Sequence, residues 1–125
     1  MGTRSAIGYK LPNGKIRAKY CHLDGYVEGG VGQTLQEHYQ AAFKIGQMVE
    51  LGDMSTLAAE IADCSFYGRD RGDTDVDAQD YDDFDDFTTS FDGCDYFYVW
   101  NGNEWIVSQG NLVFDLLETL LPEMA

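Results

Sequence analysis

The sequence predicts an α+β domain over residues 1–125: an antiparallel sheet built from two β-hairpins plus a middle strand, packed against three or four helices. Three observations predict it. Two stretches with apolar and aromatic residues at alternate positions flank an Asn-Gly turn, the sequence signature of a hairpin. Between and after them, apolar residues recur at helical spacing. The runs come as strand pair, helices, strand, helix, strand pair, helix, which lacks the regular strand–helix alternation of a parallel sheet. A length of 125 residues suits one domain. A hydrophobic content of 44% and an aromatic content of 14% are too high for a disordered acidic chain, so the acids are displayed on a folded body.

The first hairpin covers residues 4–22. Ile7 and Tyr9 alternate on one arm, Ile16, Ala18 and Tyr20 on the other, and Pro12-Asn13-Gly14 turns between them. Cys21–Gly32 reads as a glycine-rich loop. A helix then starts between Gly30 and Gln33 and runs to about Gln40, with Leu35, Tyr39 and Phe43 on one face. A second helix, about Ala41 to Leu51, presents Ile45, Met48, Val49 and Leu51 and stops at Gly52. Asp53 or Ser55 caps a short helix through Thr56–Ile61. Cys64–Tyr67 is the middle strand, followed by the loop Gly68-Arg69-Asp70-Arg71-Gly72. Tyr81, Phe84, Thr88 and Phe91 form one stripe of an acidic helix from Asp80 to about Ser90. In the second hairpin, Asp95–Ser108, Tyr96, Tyr98 and Trp100 alternate with Phe97 and Val99 around an Asn101-Gly102-Asn103 turn. A terminal helix from Asn111 to about Leu121 ends at Pro122.

The charge is distributed unevenly. Residues 1–71 carry eight Lys/Arg and eight Asp/Glu; residues 72–125 carry fourteen Asp/Glu and no Lys or Arg, so the whole formal charge of −14 lies in the second half. Residues 70–95 alone hold eleven Asp and one Arg. Such a field draws cations or basic protein surfaces and repels nucleic-acid phosphate. Residues 1–19 show the opposite bias, with Arg4, Lys10, Lys15, Arg17 and Lys19 and no acid. The two biases together predict a dipolar molecule whose negative face is built from residues 73–95. Cys21, Cys64 and Cys94 cannot all pair within one chain, Met1–Lys10 has no apolar h-region, and no apolar run nears ~18 residues. These features predict a reduced, cytoplasmic setting without a membrane span.

Three short stretches carry a resemblance. They are Tyr20-Cys21-His22-Leu23-Asp24-Gly25-Tyr26-Val27-Glu28, Leu51-Gly52-Asp53-Met54-Ser55-Thr56-Leu57 and Tyr67-Gly68-Arg69-Asp70-Arg71-Gly72, with Glu37-His38-Tyr39 between the first two. Together they resemble a family of small uncharacterised proteins of tailed bacteriophages, over about residues 1–105. The resemblance implies a phage gene expressed in a bacterial cytoplasm and brings no activity with it. The aspartate run Asp73–Asp86 is where the chain is most its own.

Several constellations bear on chemistry. Cys21, His22, Asp24 and His38 are metal-ligand residue types, but no CxxC or HExxH spacing joins them, and strand geometry sends Cys21 and His22 to opposite faces. The same geometry stops His22 from activating Cys21 as a nucleophile, which leaves His38 as its only histidine partner. Asp73-x-Asp75-x-Asp77 opens like an EF-hand loop, yet Ala78 stands where glycine is needed and Phe84 where the bidentate Glu belongs. In an extended segment those aspartates would repeat every ~6.6 Å on one face, near the spacing of nucleic-acid phosphates. Arg69 and Arg71 can hold a phosphate or pair with neighbouring aspartates. The aromatic hairpin face resembles a base-stacking platform, but it sits in the half without positive charge, which argues against direct nucleic-acid binding.

The resulting expectation is a non-enzymatic acidic protein, without cofactor, metal or catalytic residues. It binds and occludes a basic surface of a host bacterial protein, a host-defence, DNA-binding or transcription component, in one form as a nucleic-acid mimic. Asp73, Asp75, Asp77, Asp80, Asp82, Asp83, Asp85 and Asp86 are the contact charges, with Tyr81 and Phe84 as anchors. The alternative is a small-molecule binder or enzyme using His22, Asp24, Tyr26, Glu28, Arg69, Asp70 and Arg71. In that arrangement the two motif loops lie together and Asp24 or Glu28 pairs with Arg69 or Arg71. The sequence leaves the oligomeric state open, a homodimer included.

Overall fold

The computed structural model describes residues 3–109 and, beyond them, the backbone of one further strand. In chain order the elements are β1 (Ser5–Lys10), β2 (Ile16–Cys21), α1 (Val31–His38), α2 (Ala42–Glu50), β3 (Met54–Thr56), a 3-10 turn (Ile61–Asp63), β4 (Ser65–Phe66), α3 (Tyr67–Arg71), β5 (Gln79–Tyr81), α4 (Phe84–Ser90), β6 (Tyr96–Trp100), β7 (Trp105–Gln109) and β8 (Leu112–Asp115). The chain is α+β, with one eight-stranded sheet ordered β4-β3-β2-β1-β6-β7-β8. β5 pairs with β2 on the same edge as β3, since β1 occupies the other side of β2.

Both expected hairpins form. The β1–β2 turn is closed by Leu11 N–H donating to Lys15 O at 2.7 Å and Lys15 N–H donating to Asn13 Oδ1 at 3.0 Å. In the β6–β7 turn, Asn101 Oδ1 accepts from Asn103 N and Glu104 N. The sheet is mixed rather than antiparallel throughout. β6 re-enters beside β1 in the parallel sense, and β3 lies parallel to the end of β2. Long connections make this possible, because a parallel neighbour needs a crossover that a tight turn cannot supply.

Helices cover both faces. On one, α1 and α2 bring Leu35, Tyr39, Ile45, Met48 and Val49 onto Ile7, Tyr98, Trp100, Trp105 and Val107. On the other, α4 buries Phe87 over Ala6, Ala18 and Phe97. The alternation of Tyr98 and Trp100 against Phe97 and Val99 on β6 serves these two cores. Phe43, expected on the face of Leu35 and Tyr39, is 78% exposed, because α1 ends at His38 and Phe43 belongs to α2, which turns Ile45, Met48 and Val49 inward.

Four element expectations are corrected. Residues 56–61 do not form a helix; the Met54 and Ser55 carbonyls accept from His22 N and Leu23 N and hold the chain as β3. Gly68–Gly72 is not a loop. Asp70 Oδ2 accepts from Phe66 N at 2.7 Å and starts α3, which ends at Gly72 in the left-handed conformation (φ 74°). The acidic helix does not begin at Asp80. Residues 79–81 pair with β2 as β5, and the helix starts at Phe84. In place of the predicted terminal helix, Leu112–Asp115 pair with β7 as β8; the rest of that helix and Pro122 lie outside the described residues.

Candidate functional site

The eight aspartates expected to make contact lie in the loop after α3, on β5, which pairs with β2, and around the start of α4, which covers one sheet face. Seven are exposed and Asp86 is half-buried. Several have local duties. Asp83 is the N-cap of α4, its Oδ1 accepting from Asp86 N at 2.8 Å, while Asp86 Oδ2 accepts from Asp82 N at 2.8 Å. This reciprocal arrangement explains why a run of poor helix formers starts a helix: both carboxylates meet backbone N–H groups and the positive end of the helix dipole. Asp80 Oδ1 accepts from Arg17 Nη1 at 2.8 Å, and Arg17 Nε also donates to Glu50 Oε2. Arg17 thereby holds the Glu50 carboxyl below its usual range and ties α2 to β5. Lys15 pairs with Asp82 at 3.7 Å and Arg71 with Asp73 at 3.6 Å.

The dipole is therefore weaker than the sequence implies. The basic hairpin lies beside the acidic run, where Arg17 and Lys15 each meet one of its aspartates. Lys19 is buried and donates to the Met48 and Gly52 carbonyls, both at 3.0 Å. An extended aspartate ladder does not form. Asp75 takes a left-handed conformation (φ 61°) that breaks any extended run through Asp73, Asp75 and Asp77; β5 carries one Asp, and α4 sets Asp85 and Asp86 at helical spacing. The anchors are also engaged. Tyr81 packs on Phe87 and Phe91, with ring centroids 6.1 and 5.3 Å apart, and Phe84 lies 6.1 Å from Phe87. Phe87, which the sequence reading passed over, is the fully buried residue of α4.

The charges of the alternative site are engaged locally. Arg69 forks onto Asp70 (Nε–Oδ1 2.9 Å, Nη2–Oδ2 3.0 Å), donates to Ile61 O and Cys64 O, and stacks 4.7 Å from the Phe66 ring centroid. The Arg69 guanidinium holds the Asp70 carboxyl below its ordinary range. Arg71 lies against Tyr67 and Asp73. Asp24 accepts from Tyr26 OH at 3.2 Å, and no ion pair joins Asp24 or Glu28 to Arg69 or Arg71 among the described residues. The segments leading to the two motifs are separated by β3, which pairs with β2 on one side and β4 on the other. The Cys-His-x-Asp-Gly-Tyr loop is built by packing: Gly25 N–H donates to Thr3 O, Gly25 O accepts from Tyr98 OH, and Asp24 O accepts from Val31 N. A Cβ on Gly25 would lie 2.7 Å from Thr3 O, so the motif glycine is required by close approach.

The cysteines are free. Burial pushes the Cys21 thiol up to about 11, the reverse of an activated nucleophile, and its Sγ–H points to Leu23 O. His22 Nδ1 is hydrogen-bonded to Tyr20 OH at 2.7 Å, and Nε2 of exposed His38 lies 3.8 Å from Glu37 Oε1. No group of three or more His, Cys, Asp or Glu side chains able to hold a metal occurs among the described residues. None of their helices is long and apolar enough to cross a membrane.

A feature absent from the sequence reading is a half-open cleft of about 340 Å3 on the α4 face. Its floor is Ile16, Val99 and Ile106, its wall Phe84, and its charged rim Lys10 and Asp83. α4 is seven residues long and covers only part of this face. The available signal was the pairing of Val99 with Ile106 on a face that, among the described residues, one short helix covers. Searches of protein-family models, curated proteins and solved structures find no match to the chain.

Proposed function

We propose that the protein is a non-enzymatic binding protein that occludes a basic surface of another protein. Following the phage resemblance, the partner is a host bacterial protein of defence, DNA-binding or transcription, met in the host cytoplasm. The observation that carries the reading is the exposed aspartate run, seven of whose eight carboxylates face solvent. Of its eight carboxylates, Asp73, Asp80 and Asp82 are paired with cations, which leaves five without one among the described residues. Exposed pairs of this kind contribute little energy and exchange readily with a partner's arginines. The charge accelerates encounter and selects the partner, and apolar burial supplies affinity. Local charge density is the recognition feature here, not a phosphate-like ladder. Engagement of Arg69, Asp70 and Arg71 in local bonds weighs against the small-ligand reading.

Affinity capture from a bacterial lysate tests the proposal, with the parent chain and the variant Asp82→Asn, Asp83→Asn, Asp85→Asn, Asp86→Asn side by side. Proteins held by the parent at low salt, released at high salt and missed by the variant support it. An identical set on both baits refutes it.

A further inference from the structure

We infer that the cleft between the α4 N-terminus and the two hairpin turns is a socket for an apolar side chain of the basic partner, from a segment in which that side chain is flanked by Arg or Lys. The inference rests on the proposed function, because it takes the partner to be basic. It also changes how affinity arises. Tyr81 and Phe84, the expected anchors, are both half-buried against the α4 core, and Phe84 lines the cleft. In this arrangement the partner supplies the inserted apolar side chain and this protein the receptor for it.

The cleft has the required form. Ile16 from β2 and Val99 from β6, both buried in the cluster beside α4, and half-buried Ile106 from β7 line its floor, and Phe84 closes one side. About 340 Å3 is at the small end of the roughly 300–1,000 Å3 range of binding pockets, and an open side admits a chain rather than enclosing a free ligand. Charge complementarity selects the occupant. Asp83 is on the rim, exposed Asp82 precedes it and exposed Asp85 follows two residues on, and of these Asp82 is already engaged with a lysine, Lys15. A basic residue next to the buried anchor can take the place of Lys15. Lys10, the cation among the lining residues, disfavours a partner that puts a second basic group at the β1 end and so gives the segment a direction.

The test uses the full chain, labelled for NMR, with two synthetic peptides: one with two leucines flanked by arginines, and the same peptide with serines for leucines. The leucine peptide is expected to bind at least tenfold more tightly, to shift the amides of Gly14, Val99, Asn101 and Ile106, and to keep its advantage at 0.5 M salt, where exposed charge is screened. Ile106→Gln, which fills the floor with a polar group and adds no charge, is expected to abolish the leucine peptide's advantage. Equal affinity for the two peptides, with shifts confined to residues 73–86, overturns the socket and leaves the acidic contact standing. Failure of both peptides to bind at low salt overturns the proposed function as well. Concentration-dependent shifts of the same amides without peptide place a second copy of the chain in the cleft and also overturn the inference.

Discussion

Lys19 shows how a residue that looks like surface charge becomes part of the core. It is 1% exposed, its Nζ donates to two carbonyls at the end of α2, and it lies 5.0 Å from the Phe66 ring centroid. Burial pulls its pKa down to about 8. Below that pH the amine is charged in both folded and unfolded chains, and the fold bears the full desolvation penalty. Between about 8 and 10.5 the unfolded chain binds more protons than the folded one, so stability rises with pH, by at most about 1.4 kcal/mol per unit. Two thiols, buried Cys21 and half-buried Cys94, act oppositely. Cys21 and Cys94 are raised from 9.0 to about 11, so above pH 9 thiolate formation favours the unfolded chain. The urea midpoint is therefore expected to increase from pH 7 to 9 and level off or fall beyond. Lys19→Met should flatten the rise, although it lowers overall stability by leaving the Met48 and Gly52 carbonyls without a donor. The same slope in Lys19→Met would assign the effect to another group.

At the scale of elements, two glycines of the α2 region give opposite expectations. Gly46 lies within the helix, and a Cβ there would meet nothing within 4 Å, so Gly46→Ala should stabilise by about 0.5–1 kcal/mol. Gly52 ends the segment at φ 85° with Val76 O against the position of its missing Cβ. Gly52→Ala should destabilise by at least about 2 kcal/mol, through left-handed strain and displacement of the 76–77 loop. Thermal or urea unfolding of the two variants checks both signs. The α4 cap gives a third case: Asp83→Ala should cost about 0.5–2 kcal/mol, and Asp83→Asn much less, because the amide oxygen still accepts from Asp86 N. Elements governed by local patterns were legible in the sequence: both hairpins with their Asn-Gly turns, α1, α2 and the Gly52 stop. Those decided by distant partners were not. β3 exists because His22 and Leu23 offer N–H groups to it, β5 because β2 has a free edge at Ile16–Ala18, and β8 because β7 has one. The site follows the same division. The aspartate run was evident from composition, whereas its pairing with Lys15 and Arg17 and the cleft at Ile106 depend on which strands become neighbours.

For the whole molecule, charge and stability separate in a testable way. The variant Asp82→Asn, Asp83→Asn, Asp85→Asn, Asp86→Asn removes four charges and keeps the acceptors on which α4 depends, because asparagine oxygens can still receive Asp86 N and Asp82 N. It loses the Lys15–Asp82 contact, an exposed pair whose contribution is small. It also relieves repulsion among crowded carboxylates in a chain of formal charge −14. Its unfolding midpoint at neutral pH is accordingly expected to stay near that of the parent or rise slightly. Binding should respond quite differently. With the captured partner, the association rate should fall at least about tenfold at low salt, and the difference between parent and variant should shrink as the screening length drops from ~10 Å at 0.1 M to ~3 Å at 1 M. Dissociation, governed by the buried apolar contact, should change much less. Surface-plasmon kinetics at three salt concentrations, with the melting curve of each variant, separate the two effects. Unchanged association kinetics in a variant that melts like the parent would mean that the acidic run maintains the protein's charge but does not recognise a partner.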